Sequence, residues 1–221
     1  MFNLMRMLLS GKGGVDPHDL KLDDLHEGWQ VGFGFMSQAG LSGRRLVVSE
    51  LQRYRFGQDS YTAYMLEDND DYAVQLVPAR DQEGIPYIAI SRPVEPMALA
   101  RLIAAGTLQK AIDDTGDKAL RVNGEVRALK GWIAPRGVYE RALQKVEGTI
   151  SGGNMQPQEE SDASSPVFGK RGVIRRVEYT LFVNAAGTHA LEVEQLSNGR
   201  KQVYVTVYRP ATDIGQITPP R

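Results

Sequence analysis

The side chains best suited to chemistry lie near the start of the chain, where carboxylates and two histidines are interspersed. The group comprises Asp16, His18, Asp19, Asp23, Asp24, His26 and Glu27. Imidazole nitrogens and carboxylate oxygens are ligands for transition metals, so this spacing could hold such an ion. A simpler interpretation is favoured, because Asp-Pro at 16–17 is typical of a turn and the next residues lead into a strand. We therefore predict a polar connection here, with no metal and no cofactor.

Two short segments resemble ion-binding or phosphate-binding loops but lack the residues that define them. The glycines at 11–14 surround Lys12, yet a phosphate loop needs a Lys-Ser or Lys-Thr pair that opens a helix. The acidic run at 67–71 lacks the alternating ligands, the central glycine and the distal glutamate of a calcium loop. We predict a linker for the first segment and a polar hairpin tip for the second.

Nucleophilic and acid–base catalysis find little support in the sequence. The chain has no cysteine, which excludes a thiolate nucleophile, a disulfide and a cysteine-ligated metal. His189 lies in a strand pattern whose alternation places Glu192 and Glu194 on the opposite face. Ser151 is not in a nucleophile elbow. We predict no catalytic residues and no small-molecule substrate, so an enzyme is the less favoured interpretation.

Basic residues cluster in the second half of the chain. Lys170, Arg171, Arg175 and Arg176 could together contact an anion or a phosphate backbone. The whole chain nevertheless has a formal net charge of −1, and glutamates such as Glu178 dilute the positive field. Nucleic-acid binding by this half is therefore the third of our functional hypotheses and a disfavoured one.

The first residues predict a short amphipathic helix. Phe2, Met5, Leu8 and Leu9 would share one apolar face. This face could pack on the core, or it could dock a partner protein or a membrane surface, although one basic residue gives weak adsorption. The segment has neither the flanks of a signal peptide nor the length of a membrane span. We expect a cytoplasmic protein, with peripheral membrane contact as an alternative.

The elements that would position these residues are clearest in a C-terminal three-strand meander over 177–210. Along its second strand, apolar Leu191 and Val193 alternate with Glu192 and Glu194. Successive side chains of a strand point to opposite faces. We therefore expect the odd positions to face a core and both glutamates to face water.

The same alternation predicts the register of the last hairpin. A two-residue turn would place Glu192 opposite Val205 and spoil the apolar face of both strands. A three-residue loop with a left-handed Gly199 instead pairs Val193 with Val203. We predict this loop and a bulge at the glycine.

The remaining sequence predicts an α+β fold that is predominantly antiparallel β. Strands are expected at 29–35, 44–55, 60–67, 72–78 and 86–91, short helices follow Pro96 and Thr107, and 120–133 returns to a hairpin around Asn123. Residues 137–147 fit either a helix or a strand. The predicted organisation is an N-terminal helix and linker (1–28), a β-rich α+β domain (29–150), a flexible linker (151–166) and the C-terminal meander (167–221), which packs on the preceding domain.

Two long segments resemble the YjfK-like bacterial proteins, a family without an assigned activity. They are VVSELQRYRFGQ with YTAYMLEDNDDYAVQLV, and ALEVEQLSNGRKQVYVTVYRPATDIGQI. The resemblance would extend over most of 29–217, and it implies a cytoplasmic α+β protein of a family found near membrane-stress coat proteins of the phage-shock type and near polyamine–glutathione ligases. It supplies no catalytic residues.

The sequence therefore favours a non-catalytic accessory or protein-interaction protein, in a bacterial system that the resemblance suggests is an envelope-stress response. Its partner would be an unidentified protein that docks on strand edges or on the N-terminal helix. The alternative is a small-ligand-binding protein or an enzyme with a pocket between the two β-regions.

Overall fold

The computed structural model describes residues 22–113, 119–123, 126–135, 137–152 and 174–220. Within these ranges eleven strands form one antiparallel sheet. They are β1 (Gln30–Phe33), β2 (Arg45–Phe56), β3 (Asp59–Glu67), β4 (Ala73–Arg80), β5 (Pro86–Pro93), β6 (Ala119–Arg121), β7 (Val138–Gly152), β8 (Ile174–Val183), β9 (His189–Leu196), β10 (Lys201–Pro210) and β11 (Ile214–Thr218). Two short helices, α1 (Pro96–Leu102) and α2 (Thr107–Asp113), and three 3₁₀ turns at Leu22–Asp24, Arg127–Leu129 and Ala211–Asp213 complete the described elements.

The sheet closes into an eight-stranded barrel. Its order is β11-β1-β2-β3-β4-β5-β10-β9-β8-β7-β6, and an additional pairing joins β2 to β7. The ring is therefore β2-β3-β4-β5-β10-β9-β8-β7, with β1, β11 and β6 outside it. Because β5 pairs with β10, strands from both β-regions of the sequence share one barrel.

Glycines on β7 allow the barrel to close. The β2–β7 pairing runs from Gln52 opposite Gly152 to Arg55 opposite Thr149. A Cβ on Gly148 would lie 2.4 Å from the ring of Phe56. Side chains of β2 thus pass close to the inner side of β7, and any residue larger than glycine at these positions of β7 would collide with them.

A bulge in β2 divides the buried side chains between two cores. The register shifts between Val48 and Glu50, so one extra residue, Ser49, lies between the paired segments. Val48 packs in a core on the outer side of the sheet, whereas Tyr54 and later even positions face the barrel interior. A one-residue shift reverses which face each side chain occupies.

The outer core is covered by the segments that precede β2 and by the helical region. Leu25, Leu102 and Ile112 pack there against strand residues such as Leu191 and Val205. Trp132 is completely buried in this layer, and its indole N–H donates a hydrogen bond to the Ala39 carbonyl at 3.1 Å. The outer face of these strands is therefore apolar because helices cover it.

The strands predicted between 29 and 91 are confirmed, with small differences at their ends. The two helices also begin as predicted, α1 with Pro96 in its first turn and α2 at Thr107. Gly106, between them, has φ +75°. The acidic run at 67–71 is a hairpin tip, where Glu67 pairs with Ala73. The fold is thus α+β and mostly antiparallel β.

The middle of the chain differs from the sequence prediction. The expected hairpin at 120–133 is wrong: β6 pairs with β7, and a 3₁₀ turn follows at Arg127–Leu129. The ambiguous segment 137–147 is the first part of β7. This strand bulges twice, and there Arg141 and Gln144 donate side-chain hydrogen bonds to carbonyls at the end of α2, at 2.7 and 2.9 Å. The two bulges interrupt the period-two alternation of the strand, which explains the ambiguous spacing of its apolar residues.

The register of the C-terminal hairpin is confirmed. Val193 lies opposite Val203, Leu191 lies opposite Val205, and Gly199 has φ +78°. The hydrogen bond from the Leu196 N–H to the Arg200 carbonyl closes a three-residue loop. Burial of the valine rows, at roughly 1.5–3 kcal/mol per side chain, is the reason this register is preferred.

The prediction that Glu192 and Glu194 face water is wrong. They are only 8% and 5% exposed, and they point into the barrel. The row formed by Val177, Tyr179 and Leu181 faces the same interior. Both faces of β9 are buried because the barrel covers one and the helical layer covers the other.

Candidate functional site

A polar network fills the barrel interior around the two glutamates of β9. Glu192 and Glu194 are two residues apart, so both point to the same side of the strand. A buried carboxylate must find hydrogen-bond donors or lose its charge. Strands on both sides of the barrel provide such donors.

Glu192 accepts hydrogen bonds from three neutral hydroxyl groups. Tyr179 on β8 donates at 2.9 Å and Ser91 on β5 at 3.1 Å, and Thr206 on β10 also donates to it. Burial raises the pKa of Glu192, and these hydrogen bonds oppose the increase only in part. Burial thus favours the protonated form of this carboxyl group, whereas the hydrogen bonds of the network favour its charged form.

Glu194 lies nearer the end of the barrel. Tyr54 on β2 donates to it at 2.8 Å and in turn accepts from the Gln75 side-chain amide at 2.9 Å. Burial raises the pKa of Glu194 to about 7, and the negative charge of Glu192 adds to the rise. The Tyr54 hydrogen bond and the positive charge of Arg175 lower it. This carboxyl group can thus exchange a proton near neutral pH.

Aromatic side chains pack around the carboxylates. The rings of Tyr54 and Tyr61 stack in parallel with centroids 4.9 Å apart. The ring centroids of Phe56 and Tyr179 are 5.6 Å apart. An eight-stranded barrel is just wide enough for side chains to fill it. The polar network is therefore embedded in packed rings, and Glu194 is the carboxylate that borders a cavity.

That cavity, which we call the mouth cavity, lies at the end of the barrel beside the β9–β10 loop. It has a volume of about 30 Å³. Its walls are Gln52, Ile150, Arg175, Glu194, Leu196, Arg200, Gln202 and Tyr204. It combines one buried acid with two arginines.

A larger open groove lies on the outer side of the same strands. We call it the seam groove because it lies over the β2–β7 junction; its volume is about 620 Å³. Its charged and polar walls include Arg55, Glu147, Thr149, Arg176, Glu178 and Gln195. Arg55 and Arg176 are both cross-strand neighbours of Thr149, and Glu147 lies directly opposite Glu178. The groove therefore has a positive and a negative part.

The predicted anion-contacting residues are not brought together on one face. Arg175 points inward to the mouth cavity, and the next residue, Arg176, lines the seam groove outside. Lys170 and Arg171 lie outside the described residues. The predicted docking residues Phe2, Met5, Leu8 and Leu9, and nearly all of the predicted linker 151–166, also lie outside them.

The candidate metal ligands are dispersed in the described part of the chain. Asp16, His18 and Asp19 lie outside it, Asp23 and Asp24 belong to a 3₁₀ turn, and the His26 ring meets the edge of Trp29 at 5.9 Å. Among the described residues, no group of three or more His, Asp or Glu side chains could hold a metal ion.

Sequence reasoning missed the interior network. The signal that could have indicated it is on β10, where Tyr204, Thr206 and Tyr208 occupy the positions expected to face water. Two tyrosines and a threonine are unusually apolar for a strand face in contact with water. Such a face is typical of a strand that is buried on both sides.

Comparisons with known proteins give no relative for this chain. No family model matches it, and neither a curated protein nor a solved structure does so. The described helices are also too short to cross a membrane. The function is therefore inferred from the geometry of the barrel and of its two depressions.

Proposed function

We propose that this chain is a non-catalytic interaction protein that binds an extended segment of a partner protein in the seam groove. The observation that carries the proposal is the groove itself, an open depression of about 620 Å³ over the β2–β7 junction. Small-molecule sites are usually enclosed and mostly apolar. Here seven of the twelve lining residues have charged or hydrogen-bonding side chains, which suits a polar polypeptide.

The arrangement of charge indicates what kind of segment would fit. Arg55 and Arg176 flank Thr149 on neighbouring strands, and Glu147 and Glu178 form the adjacent cross-strand pair. A segment with an acidic and a basic side chain could place each opposite its complement. Such complementarity gives specificity more than affinity, which is appropriate for an accessory protein with a reversible partner.

The placement of the titratable groups supports a non-catalytic role. Glu192 is held by hydroxyl groups inside the packed barrel, where a substrate would need to displace aromatic side chains to reach it. A general acid or base must come within hydrogen-bond reach of its substrate. We assign Glu192 to the internal network that organises the barrel.

The resemblance to the YjfK-like proteins supports placing this activity in the bacterial cytoplasm, in an envelope-stress system. The partner would then be a protein of that system, and the chain would act at the inner side of the membrane. Docking through the N-terminal residues 2–9 would add a second contact.

A peptide selection tests the groove directly. Random peptides displayed on phage are selected on the wild-type protein, and their affinities are measured for two variants. Arg55→Glu combined with Arg176→Glu reverses the positive part of the groove. Arg53→Glu is the matched control, because Arg53 is an exposed arginine of β2 on the same face, two residues from Arg55, and does not line the groove.

The expected result is enrichment of peptides that contain both acidic and basic residues. Their affinity should fall at least about tenfold in the double variant, which corresponds to about 1.4 kcal/mol, and should be unchanged in the control. Selected peptides that bind the double variant as well as the wild type would refute the groove as the binding site.

A further inference from the structure

The mouth cavity contains a cationic group whose hydrogen-bonding capacity is incompletely used. Arg175 is on β8 opposite Ile150, a residue that faces the barrel interior. Its Nε atom is buried and has no hydrogen-bond partner among the residues that the structure describes. Leaving a buried charged donor unsatisfied is costly, so such groups normally meet an acceptor.

The shape of the guanidinium group indicates which acceptor would fit. The Nε–H and one terminal N–H point in parallel, and they match the two oxygens of a carboxylate. The volume of about 30 Å³ is enough for roughly two water molecules, so the cavity suits a planar carboxylate better than a tetrahedral phosphate. Arg200 also lines the cavity and adds a second positive charge.

Glu194 lies on the wall of the same cavity, where its negative charge would repel an incoming carboxylate. Protonation of Glu194 removes this repulsion, so that the positive charge of Arg175 can interact with the carboxylate of the ligand. We propose that the mouth cavity binds one carboxylate group on Arg175, and that binding is coupled to uptake of a proton by Glu194.

The groups that surround Glu194 are consistent with this coupling. Three charged residues lie around Glu194: Glu192 on the same strand, Arg175 on β8 and Arg200 just before β10. A fourth, Glu50 on β2, accepts a hydrogen bond from Gln52, which lines the cavity. The other titratable neighbours are Tyr54, Tyr61, Tyr179 and Tyr204, and burial keeps the pKa of each phenol well above its usual value. Near neutral pH, Glu194 is therefore the group on the cavity wall that changes charge, since burial raises its pKa to about 7.

This inference does not depend on the proposed peptide site. The two depressions share Leu196 as a wall, but Arg175 lines the mouth cavity alone and Arg176 lines the seam groove alone. Changes in one can therefore be tested against the other.

The test follows the Arg175 Nε–H signal by NMR while sodium acetate is added at pH 6, 7, 8 and 8.5. Sodium chloride at equal ionic strength is the control for non-specific screening. Acetyl-Gly-Gly and its C-terminal amide are then compared, to distinguish a free small acid from the end of a polypeptide. Arg175→Gln, Glu194→Gln and the matched control Arg176→Gln are titrated in parallel.

We expect acetate to shift the Arg175 signal in a saturable way, with affinity that falls up to tenfold per pH unit above pH 7, as one coupled proton requires. The slope should disappear in Glu194→Gln, and Arg176→Gln should behave as the wild type. Arg175→Gln lacks the reporter signal, so binding is followed there by the backbone amide signals of Glu194 and Leu196, which should no longer shift in a saturable way. Binding of acetyl-Gly-Gly, with none of its amide, would identify a chain end as a competent ligand, and binding of acetate alone would identify a free acid.

An Arg175 signal that responds equally to chloride and acetate would overturn the proposal. So would saturable binding that is independent of pH in the wild type. The wild-type measurements suffice for both outcomes, so the proposal can be refuted even if a variant fails to fold.

Discussion

Replacing Glu194 with glutamine should remove a pH dependence from the stability of the protein. In the folded state burial raises the pKa of this carboxyl group from the ordinary 4.5 to about 7. The folded protein therefore binds the proton more tightly than the unfolded chain does. The stabilisation is complete below the unfolded pKa, and it is lost as pH rises through the folded pKa.

The size of the effect follows from the two pKa values. Each pH unit between them corresponds to about 1.4 kcal/mol, so the whole contribution is about 3 kcal/mol. Between pH 5 and pH 8 we expect the wild type to lose about 2–3 kcal/mol of unfolding free energy relative to Glu194→Gln. Glutamine keeps an oxygen that can accept the Tyr54 hydrogen bond, so the variant should fold.

Urea denaturation followed by tryptophan fluorescence, at half-unit steps of pH, measures the difference in unfolding free energy. Burial lowers the pKa of His189, which makes stability rise with pH up to about 6.5, but this histidine is present in both proteins and cancels. Glu178→Gln on the seam groove is the matched control and should retain the wild-type dependence. Equal pH profiles for wild type and Glu194→Gln would refute the assignment of a proton to this site.

Three further substitutions test the packing. Gly148→Ala places a Cβ 2.4 Å from the ring of Phe56 and should lower the unfolding free energy by about 1–3 kcal/mol in urea denaturation. The control Thr149→Ala, on the outer side, should lower it by less. Equal decreases in the two variants would contradict the close approach of β2 and β7. Gly199→Ala should cost about 1 kcal/mol in the same assay, since φ is +78° there and no atom obstructs a Cβ, and no change would argue against the left-handed turn. Glu192→Val should destabilise the protein by about 1–3 kcal/mol because it leaves hydroxyl donors without their acceptor. Glu192→Gln is the control, since it retains an acceptor. If the valine variant were as stable as the glutamine variant, the network would not stabilise the fold.

Local patterns in the sequence were sufficient to predict strands β1 to β5 and the turn of the last hairpin. The alternation of Leu191, Val193, Val203 and Val205 predicted the register of the last hairpin, because one residue of slippage would have exposed an entire apolar row. Pro96 predicted the start of the first helix through its own backbone preference, whereas that helix ends at Leu102, before Gly106. These features depend on neighbours in the chain, so the chain alone is informative about them.

The candidate site depends on contacts between distant residues, so it could not be predicted from local sequence patterns. Tyr54 and Glu194 are 140 residues apart yet share a hydrogen bond. The pairing of β2 with β7 converts an open sheet into a barrel, and that closure places Glu192 and Glu194 inside. Alternation alone shows only that a strand has two different faces. Whether the second face meets water or another wall of the sheet is decided by closure, and closure depends on glycines and bulges whose partners lie far away in the sequence.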